Sequence, residues 1–288
     1  VRIAGPPEVA RDIAEALDQY GLRPARIELV SPLRERKGIR FAYRVDTDDG
    51  HSVKVRHFAT GEDARRHFEL RAGLEAAFAP ALARYGSVLI EEWVEGLPLT
   101  ELDGDGRAEE AGALLGRLHG RQLGADLPSR ISTRKWRDGA ESDLEVLSAA
   151  GTLTLAEAAR LRAEIERRDP GAARTALIHL DFCVENMLID RRGKLRVIDN
   201  ELLSINPAGL DLGRTFHRWP MSERAWIRFF EAYRSSAPSE PEPTGFWRIA
   251  AALTGTRVFL QRSPQRLDES VALLRRFVDG ECLSDPSP

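Results

Sequence analysis

Cysteine is nearly absent from this chain: Cys183 and Cys282 are the only two in 288 residues. Two thiols cannot build a disulfide framework, which favours a reducing compartment and a cytoplasmic location. Cys183 reads as a small buried thiol rather than a nucleophile or redox centre. Long apolar runs are missing as well. No stretch approaches the roughly eighteen apolar residues of a membrane span, and no apolar leader stands at the start. Nor is positive charge in excess. Lys and Arg number 42 against 45 Asp and Glu, a net charge of −3, and the two signs are interleaved as on a solvated surface. A general nucleic-acid binder would carry a basic face or tail, so nucleic acid and membrane are both set aside as partners. There is no internal repeat and no long low-complexity segment. What is left is a soluble chain long enough for two modest domains or one large one. Its oligomeric state has no signature in the sequence.

Apolar spacing sets out the elements. Val9, Ile13, Leu17 and Tyr20 predict a helix over 6–20, with Pro6 and Pro7 at its start and Gly21 at its end. Strands are expected over 26–30, 41–45, 52–58 and 88–93, the middle two joined by the turn Asp46–Gly50. A second helix is expected over 62–78, and Gly96-Leu97-Pro98 closes the strand at 88–93. Beyond that point the chain reads as mostly helical. Ala108, Ala111, Leu114, Leu115 and Leu118 form one stripe ending at His119-Gly120, and helical patches follow at 144–147, 153–165, 226–233 and 267–278. Met187–Asp190 and Leu195–Ile198 predict a hairpin around Arg191-Arg192-Gly193-Lys194. Ser235–Gly245, rich in Pro, Ser and Glu, reads as a surface loop.

Chemistry concentrates around that hairpin. His179-Leu180-Asp181-Phe182-Cys183-Val184-Glu185-Asn186 precedes it and Val197-Ile198-Asp199-Asn200-Glu201 follows it. Asp181, Asn186 and Asp199 thus stand in two short loops. One carboxylate can position a hydroxyl and take its proton. The amide oxygen and the second carboxylate are hard ligands suited to Mg²⁺ against nucleotide phosphates. The bland alternative is that Asp and Asn serve only as turn and capping residues.

The same residues carry a resemblance. His179-x-Asp181 with Asn186, a hydrophobic hairpin and Ile198-Asp199-x-Glu201 resemble the aminoglycoside phosphotransferase-like, or choline-kinase-like, branch of the protein-kinase fold. The resemblance implies an α+β, two-lobed architecture: a small sheet-and-helix lobe over 1–94 that binds the nucleotide, and a larger, mainly helical lobe over 95–288. It implies Asp181 as catalytic base or hydroxyl orienter, Asn186 and Asp199 as metal ligands, and His179 as an architectural residue of the catalytic loop. Val53-Lys54-Val55 is similar to the third strand of the small lobe, whose lysine meets the phosphates. Glu69 is similar to its ion-pair partner, with Glu75 as runner-up. Val88–Gly96 resembles the edge strand and hinge against which adenine lies, which brings in Glu92 and Val94. Glu201 is left between metal or substrate binding and a structural role. Leu114–His119 and Asp211-Leu212 resemble further segments of the large lobe, and His119 reads as a packed or capping histidine. The implied cofactors are Mg²⁺ and ATP, with GTP as the alternative, and the implied partner is a small-molecule hydroxyl acceptor.

Two stretches depart from the family pattern. Ser31–Arg40 holds Gly38 alone where a glycine-rich phosphate loop is expected. Arg34, Arg36, Lys37 and Arg40 offer charge there, or are simply exposed. Cys183-Val184-Glu185 also differs from the usual catalytic loop. These departures keep open a second function, a catalytically weak nucleotide-binding regulatory module. For the acceptor, Asp138–Asp169 holds eight acidic residues and four arginines, which favours an amine-bearing compound such as an aminoglycoside, and with it a role in antibiotic resistance. A solvated helix face explains the same count. Trp136, Phe216, Trp219, Trp226 and Trp247 are candidate pocket-wall aromatics, with core packing as their ordinary role.

Overall fold

A computed structural model describes residues 3–32, 41–74, 78–101, 104–124, 127–237 and 243–281. Contacts divide the chain into two compact units, 1–98 with 187–201 and 99–186 with 202–288. The glycine-poor segment from Leu33 to Arg40, the runner-up Glu75, and Cys282 lie outside the described residues.

The first unit is sheet and helix. Helix α1 (Pro7–Tyr20) starts on proline and stops at Gly21, whose φ of 76° takes the chain into the left-handed region. Its buried stripe of Val9, Ile13, Ala16 and Leu17 packs on a five-stranded antiparallel sheet. That sheet runs β1 (Pro24–Pro32), β2 (Phe41–Thr47), β3 (Ser52–His57), β5 (Val88–Glu92), β4 (Ala81–Tyr85). Strand alternation decides what faces what. Tyr43, Val45, Val53, Val55, Val88 and Ile90 join α1 in the core. Each such fully buried aliphatic contributes about 1.5–3 kcal/mol. Lys54, Arg56 and Glu91 therefore fall together on the opposite face.

Helix α2 (Gly61–Arg71) is capped by Thr60, whose Oγ1 accepts the Asp63 N–H at 3.1 Å. It is shorter than the helix expected to reach residue 78. The Arg71 side chain turns inward to Glu91, and Gly73 follows at φ 79°. Gly96–Pro98 is not a closing turn but a strand, β6. It pairs with a later hairpin, β9 (Met187–Asp190) and β10 (Leu195–Val197), in the order β10-β9-β6. A Cβ at Gly96 would lie 2.3 Å from the Ile189 carbonyl oxygen, so glycine permits that pairing. Asp199, just past the hairpin, has φ 59°, an uncommon conformation for a residue with a side chain.

The second unit is mainly helical. Helix α3 (Ala108–His119) is followed by β7 (Arg130–Ser132), α4 (Arg134–Ala149), α5 (Leu155–Arg168) and β8 (Ala172–Ile178). After the hairpin come β11 (Ser204–Pro207), α6 (Ala208–Arg218), α7 (Glu223–Ser236), α8 (Gly245–Arg262) and α9 (Leu267–Val278). Strands β11, β8 and β7 form a small antiparallel sheet. Thr154 and Glu157 close a capping box at the start of α5. Helix α8, which periodicity does not reveal, is the centre of the core. Phe246, Trp247, Ile249, Ala252 and Leu253 are buried on several sides of it against α4, α5 and α9. Trp247 sits on Gly209 and Gly213 of α6, where a Cβ would fall within 2.3 Å of it. Helices α3 and α7 approach backbone to backbone at Gly112 and Gly116. The expected two-lobed α+β class is the class observed. Among the described residues no helix is long and apolar enough to cross a membrane.

Candidate active site

In the second unit the loop that carries Asp181 leaves β8 at His179, which is fully buried. Leu180 has φ 66°. This uncommon backbone is held by Asp211 of α6. The Asp211 carboxylate accepts the His179 N–H at 2.6 Å and the Leu180 N–H at 2.8 Å. His119 Nε2 meets the same carboxylate at 3.2 Å, and His119 Nδ1 meets the Tyr233 hydroxyl at 2.9 Å. Burial opposes ionisation of Asp211, but its hydrogen bonds to His119 and to the loop outweigh that and hold its pKa low. Burial, partly offset by Asp211, lowers the His119 pKa, which fits a neutral ring bridging two partners.

Asp181 follows at the surface of this network. Asn186 Nδ2 donates to its carbonyl oxygen and to its Oδ2, both at 2.9 Å. Those bonds fix the Asn186 amide and leave its Oδ1 available as a ligand. Arg218 Nη1 donates to Asp181 Oδ1 at 2.8 Å, and Arg214 lies 3.8 Å from that oxygen. Sequence reasoning missed both arginines; their i, i+4 spacing on α6 is the only signal it offers. Cys183 is buried, its thiol pushed up to about 12 by desolvation and by Asp181, so it stays protonated and is no nucleophile.

In the first unit a cavity of about 420 Å³ gathers Lys54, Arg56, Glu91, Asp199 and the segment Glu92–Gly96. Ala79, Val94, Leu188 and Ile198 supply its apolar lining. Glu91 pairs in register with Lys54 across β3 and β5 and is buried. It takes an ion pair from Arg56 at 3.5 Å and a second from Arg71. Burial works against the Glu91 carboxylate, yet Arg56, Arg71 and Lys54 keep its pKa low. Desolvation, helped by Arg56, lowers the Lys54 pKa to about 8 against the pull of Glu91, Asp199 and Glu201. Arg56 reaches 3.9 Å from Asp199, while its Nε and Nη1 are buried without a hydrogen-bond partner. Sequence reasoning passed over Arg56, although its i+2 spacing from Lys54 puts it on the same face.

Glu69, expected beside Lys54, is exposed on α2 and pairs with Arg65 at 3.2 Å. The carboxylates that act on Lys54 are Glu91, Asp199 and Glu201 instead. Glu92 is an exposed residue at the end of β5, and Val94 lines the cavity. Desolvation raises the Glu201 pKa, and a hydrogen bond to Asp199 adds to the effect.

A model of the phosphotransferase enzyme family matches residues 34–247, about three quarters of the chain. The chain belongs to this family. Membership supports nucleotide-dependent phosphoryl transfer to a hydroxyl as the activity of this phosphotransferase. No curated protein sequence matches it. Among solved structures, it is similar to a Ralstonia eutropha protein assigned as an aminoglycoside phosphotransferase, with TM-score 0.64 and 13% identity, covering 94% of this chain and 98% of that one. Choline kinase LicA from Streptococcus pneumoniae gives 0.61 and 17%, covering 92% and 98%. Macrolide 2'-phosphotransferase MphH from Brachybacterium faecium gives 0.61 and 16%, covering 96% and 99%. At such identities the likeness is one of fold, the protein-kinase-like fold.

The acidic stretch of the phosphotransferase is largely internally paired. Glu141 bonds Arg162, Asp143 bonds Arg257 and Thr254, and Asp169 bonds Thr133 and Arg137. Glu157 caps α5 and meets Arg275, and Glu164 meets Arg167 and Arg168. Of the candidate aromatics, Phe216, Trp219 and Trp226 line a cavity of about 390 Å³ among α6, α7, α8 and α9. Trp136 and Trp247 pack against each other edge to face, 5.6 Å apart, in the core.

The donor chemistry fits Mg²⁺. In the first unit Asp199 and Glu201 form a carboxyl pair beside two cations. Among the described residues no three His, Cys, Asp or Glu side chains converge as a metal cage. Mg²⁺ needs none, because it takes few protein ligands and completes its shell with water and phosphate.

Proposed function

We propose that this phosphotransferase moves the γ-phosphoryl group of ATP, with GTP as the alternative nucleotide, to a hydroxyl of a small molecule in the cytoplasm. Transfer is direct, without a phosphoenzyme. The chief support is one observation: the half-buried Lys54, the buried Arg56, a carboxyl pair and an apolar lining share the cavity region of the first unit. An apolar wall suits a purine, Lys54 and Arg56 suit its phosphates, and the Asp199–Glu201 pair suits the accompanying divalent ion. Glu92 and Val94 are assigned to the adenine edge, and Glu91, rather than Glu69, to restraining the cations.

Asp181 is assigned to the acceptor. Its carboxylate orients the hydroxyl and receives the proton as the oxygen–phosphorus bond forms and the bond to the β-phosphate oxygen breaks. Asn186 holds the Asp181 carboxylate through its Nδ2 and offers its Oδ1 to Mg²⁺, with Asp199 as the principal metal ligand. When bound, Mg²⁺ supplies charge neutralisation on the transferring group. His179 shapes the loop, and Glu201 supports Asp199.

The acceptor class is tested by a transfer screen with γ-labelled ATP and GTP. It covers aminoglycosides, other antibiotics, amino alcohols, sugars and hydroxy acids, with products identified by mass spectrometry. Label in a phosphorylated small molecule supports the reading. Label only in protein rejects the acceptor class. Nucleotide binding with no transfer to any acceptor supports the regulatory module instead.

A further inference from the structure

We infer that the acceptor of this phosphotransferase is a small hydroxyl compound carrying an anionic carboxylate or phosphate group, which Arg214 and Arg218 receive beside Asp181. The inference rests on the phosphotransfer reading for the role of Asp181 and adds the charge of the molecule that meets it.

Both arginines project from α6 one helical turn apart, so they share a face. Arg218 donates to Asp181 Oδ1 at 2.8 Å, and its Nη2 has only the weakly accepting Cys183 sulfur at 3.6 Å. Arg214 reaches the same Asp181 oxygen at 3.8 Å, beyond a hydrogen bond. Neither arginine pairs with any other carboxylate among the described residues. The Nε of each is buried with no hydrogen-bond partner, while the side chains keep 33% and 28% of their exposure. Two guanidiniums thus open toward solvent beside one carboxylate. Glu185, the other acid of the loop, is exposed and bears on Cys183 instead.

A hydroxyl bound at Asp181 enters next to these two cations. A protonated amine close to that hydroxyl meets like charge on one side and gains only the already engaged Asp181 on the other. An anionic group gives the forked guanidiniums the planar, bidentate partner they lack and lets Asp181 turn to the hydroxyl. The acids that favoured an amine are held by arginines and a helix cap, so they leave little free negative field to attract one.

Two matched series test the charge order: glucosamine, glucose, glucuronate and glucose 6-phosphate, and 2-amino-1,3-propanediol, glycerol, glycerate and glycerol 3-phosphate. Binding is read by ligand-observed NMR, and transfer by kcat/KM with Mg²⁺ and ATP. The anionic members should exceed the amine at least tenfold within a series, and carboxylate against phosphate identifies the group received. Arg214→Gln and Arg218→Gln, checked for fold by circular dichroism, should each cut that preference severalfold by raising KM for the anionic members. An amine that binds best, absence of binding by every anionic member, or a preference unchanged in both variants overturns the inference. ATP binding is measured separately by calorimetry. Its absence rejects the phosphotransfer reading, while the NMR order still decides the charge of the site.

Discussion

The N–H of Leu180 is held by the carboxylate of Asp211 at 2.8 Å, and Leu180 carries a φ of 66°. The residue that places Asp181 is therefore kept in an unfavourable conformation by a buried acid on helix α6. Asp211→Asn leaves one oxygen where two accept, and turns an NH₂ toward a backbone N–H. Single-turnover transfer should fall at least tenfold. Denaturant unfolding should show a loss of about 2–4 kcal/mol, the order expected for a broken buried network. Wild-type turnover in the folded variant would remove Asp211 from the account of the loop.

Asp181 and Asp199 should separate in kinetics. Asp199→Asn is expected to weaken Mg²⁺-nucleotide binding tenfold or more. Asp181→Asn should leave that binding within about threefold and lower the transfer rate by about 10²–10⁴, the usual contribution of a positioned base. Calorimetry and rapid-quench measurements on both variants decide it. A small residual rate in Asp181→Asn fits, since positioning and electrostatics persist.

Arg56 should act on phosphates and not on the base. Arg56→Met is expected to cost at least tenfold in ATP affinity while adenosine binding changes by less than about twofold. Equal losses for ATP and adenosine would make Arg56 a structural partner of Glu91 alone.

Lys54 sets a pH dependence. Its folded pKa is lowered to about 8 from an ordinary 10.5, chiefly by desolvation. Between those values the unfolded chain holds more protons, so stability rises with pH across that window, and the burial penalty is fully present below about 8. Nucleotide binding runs the other way, because it uses the charge. ATP affinity should fall as pH rises through about 8, with proton uptake on binding near that pH. Lys54→Arg should move the fall to higher pH. Titrations in buffers of different ionisation enthalpy measure the uptake.

Close helix packing gives a stability prediction. A Cβ at Gly112 would lie 2.0 Å from the Phe229 carbonyl oxygen, whereas one at Gly139 meets nothing within 4 Å. Gly112→Ala should destabilise by about 3 kcal/mol through overpacking, and Gly139→Ala should stabilise by about 0.5–1 kcal/mol. Chemical denaturation of the two variants checks both signs.

Where elements are amphipathic, their residues announce them. Helices α1 and α9 lie close to where their apolar stripes put them, and so does the hairpin after Asn186. Helix α8 escaped because it is buried on several sides and shows no polar stripe. Strand β8, Ala-Ala-Arg-Thr-Ala-Leu-Ile, has too few β-branched residues to stand out, and its partners lie more than twenty residues away on either side. Gly96-Leu97-Pro98 looks like a turn because the pairing that makes it a strand is long-range. The loop residues Asp181 and Asn186 were legible because they sit in one short motif, and the structure joins them by hydrogen bonds. The charge partners were not. Glu91 looks like a strand residue, Arg56 like a surface cation, and Arg214 and Arg218 like a solvated helix face. Only tertiary packing brings each to its carboxylate or cation, and it leaves Glu69 with Arg65.

The half-buried Lys54 and the buried Arg56 are expected to bind a nucleotide together with a divalent ion. Calorimetric titration of ATP into the wild-type protein and Asp199→Asn, with and without Mg²⁺, tests it most directly. Saturable binding is expected that strengthens at least tenfold with Mg²⁺ in the wild type and loses most of that gain in Asp199→Asn. Absence of ATP and GTP binding under all conditions, or binding indifferent to both Mg²⁺ and Asp199, would contradict it.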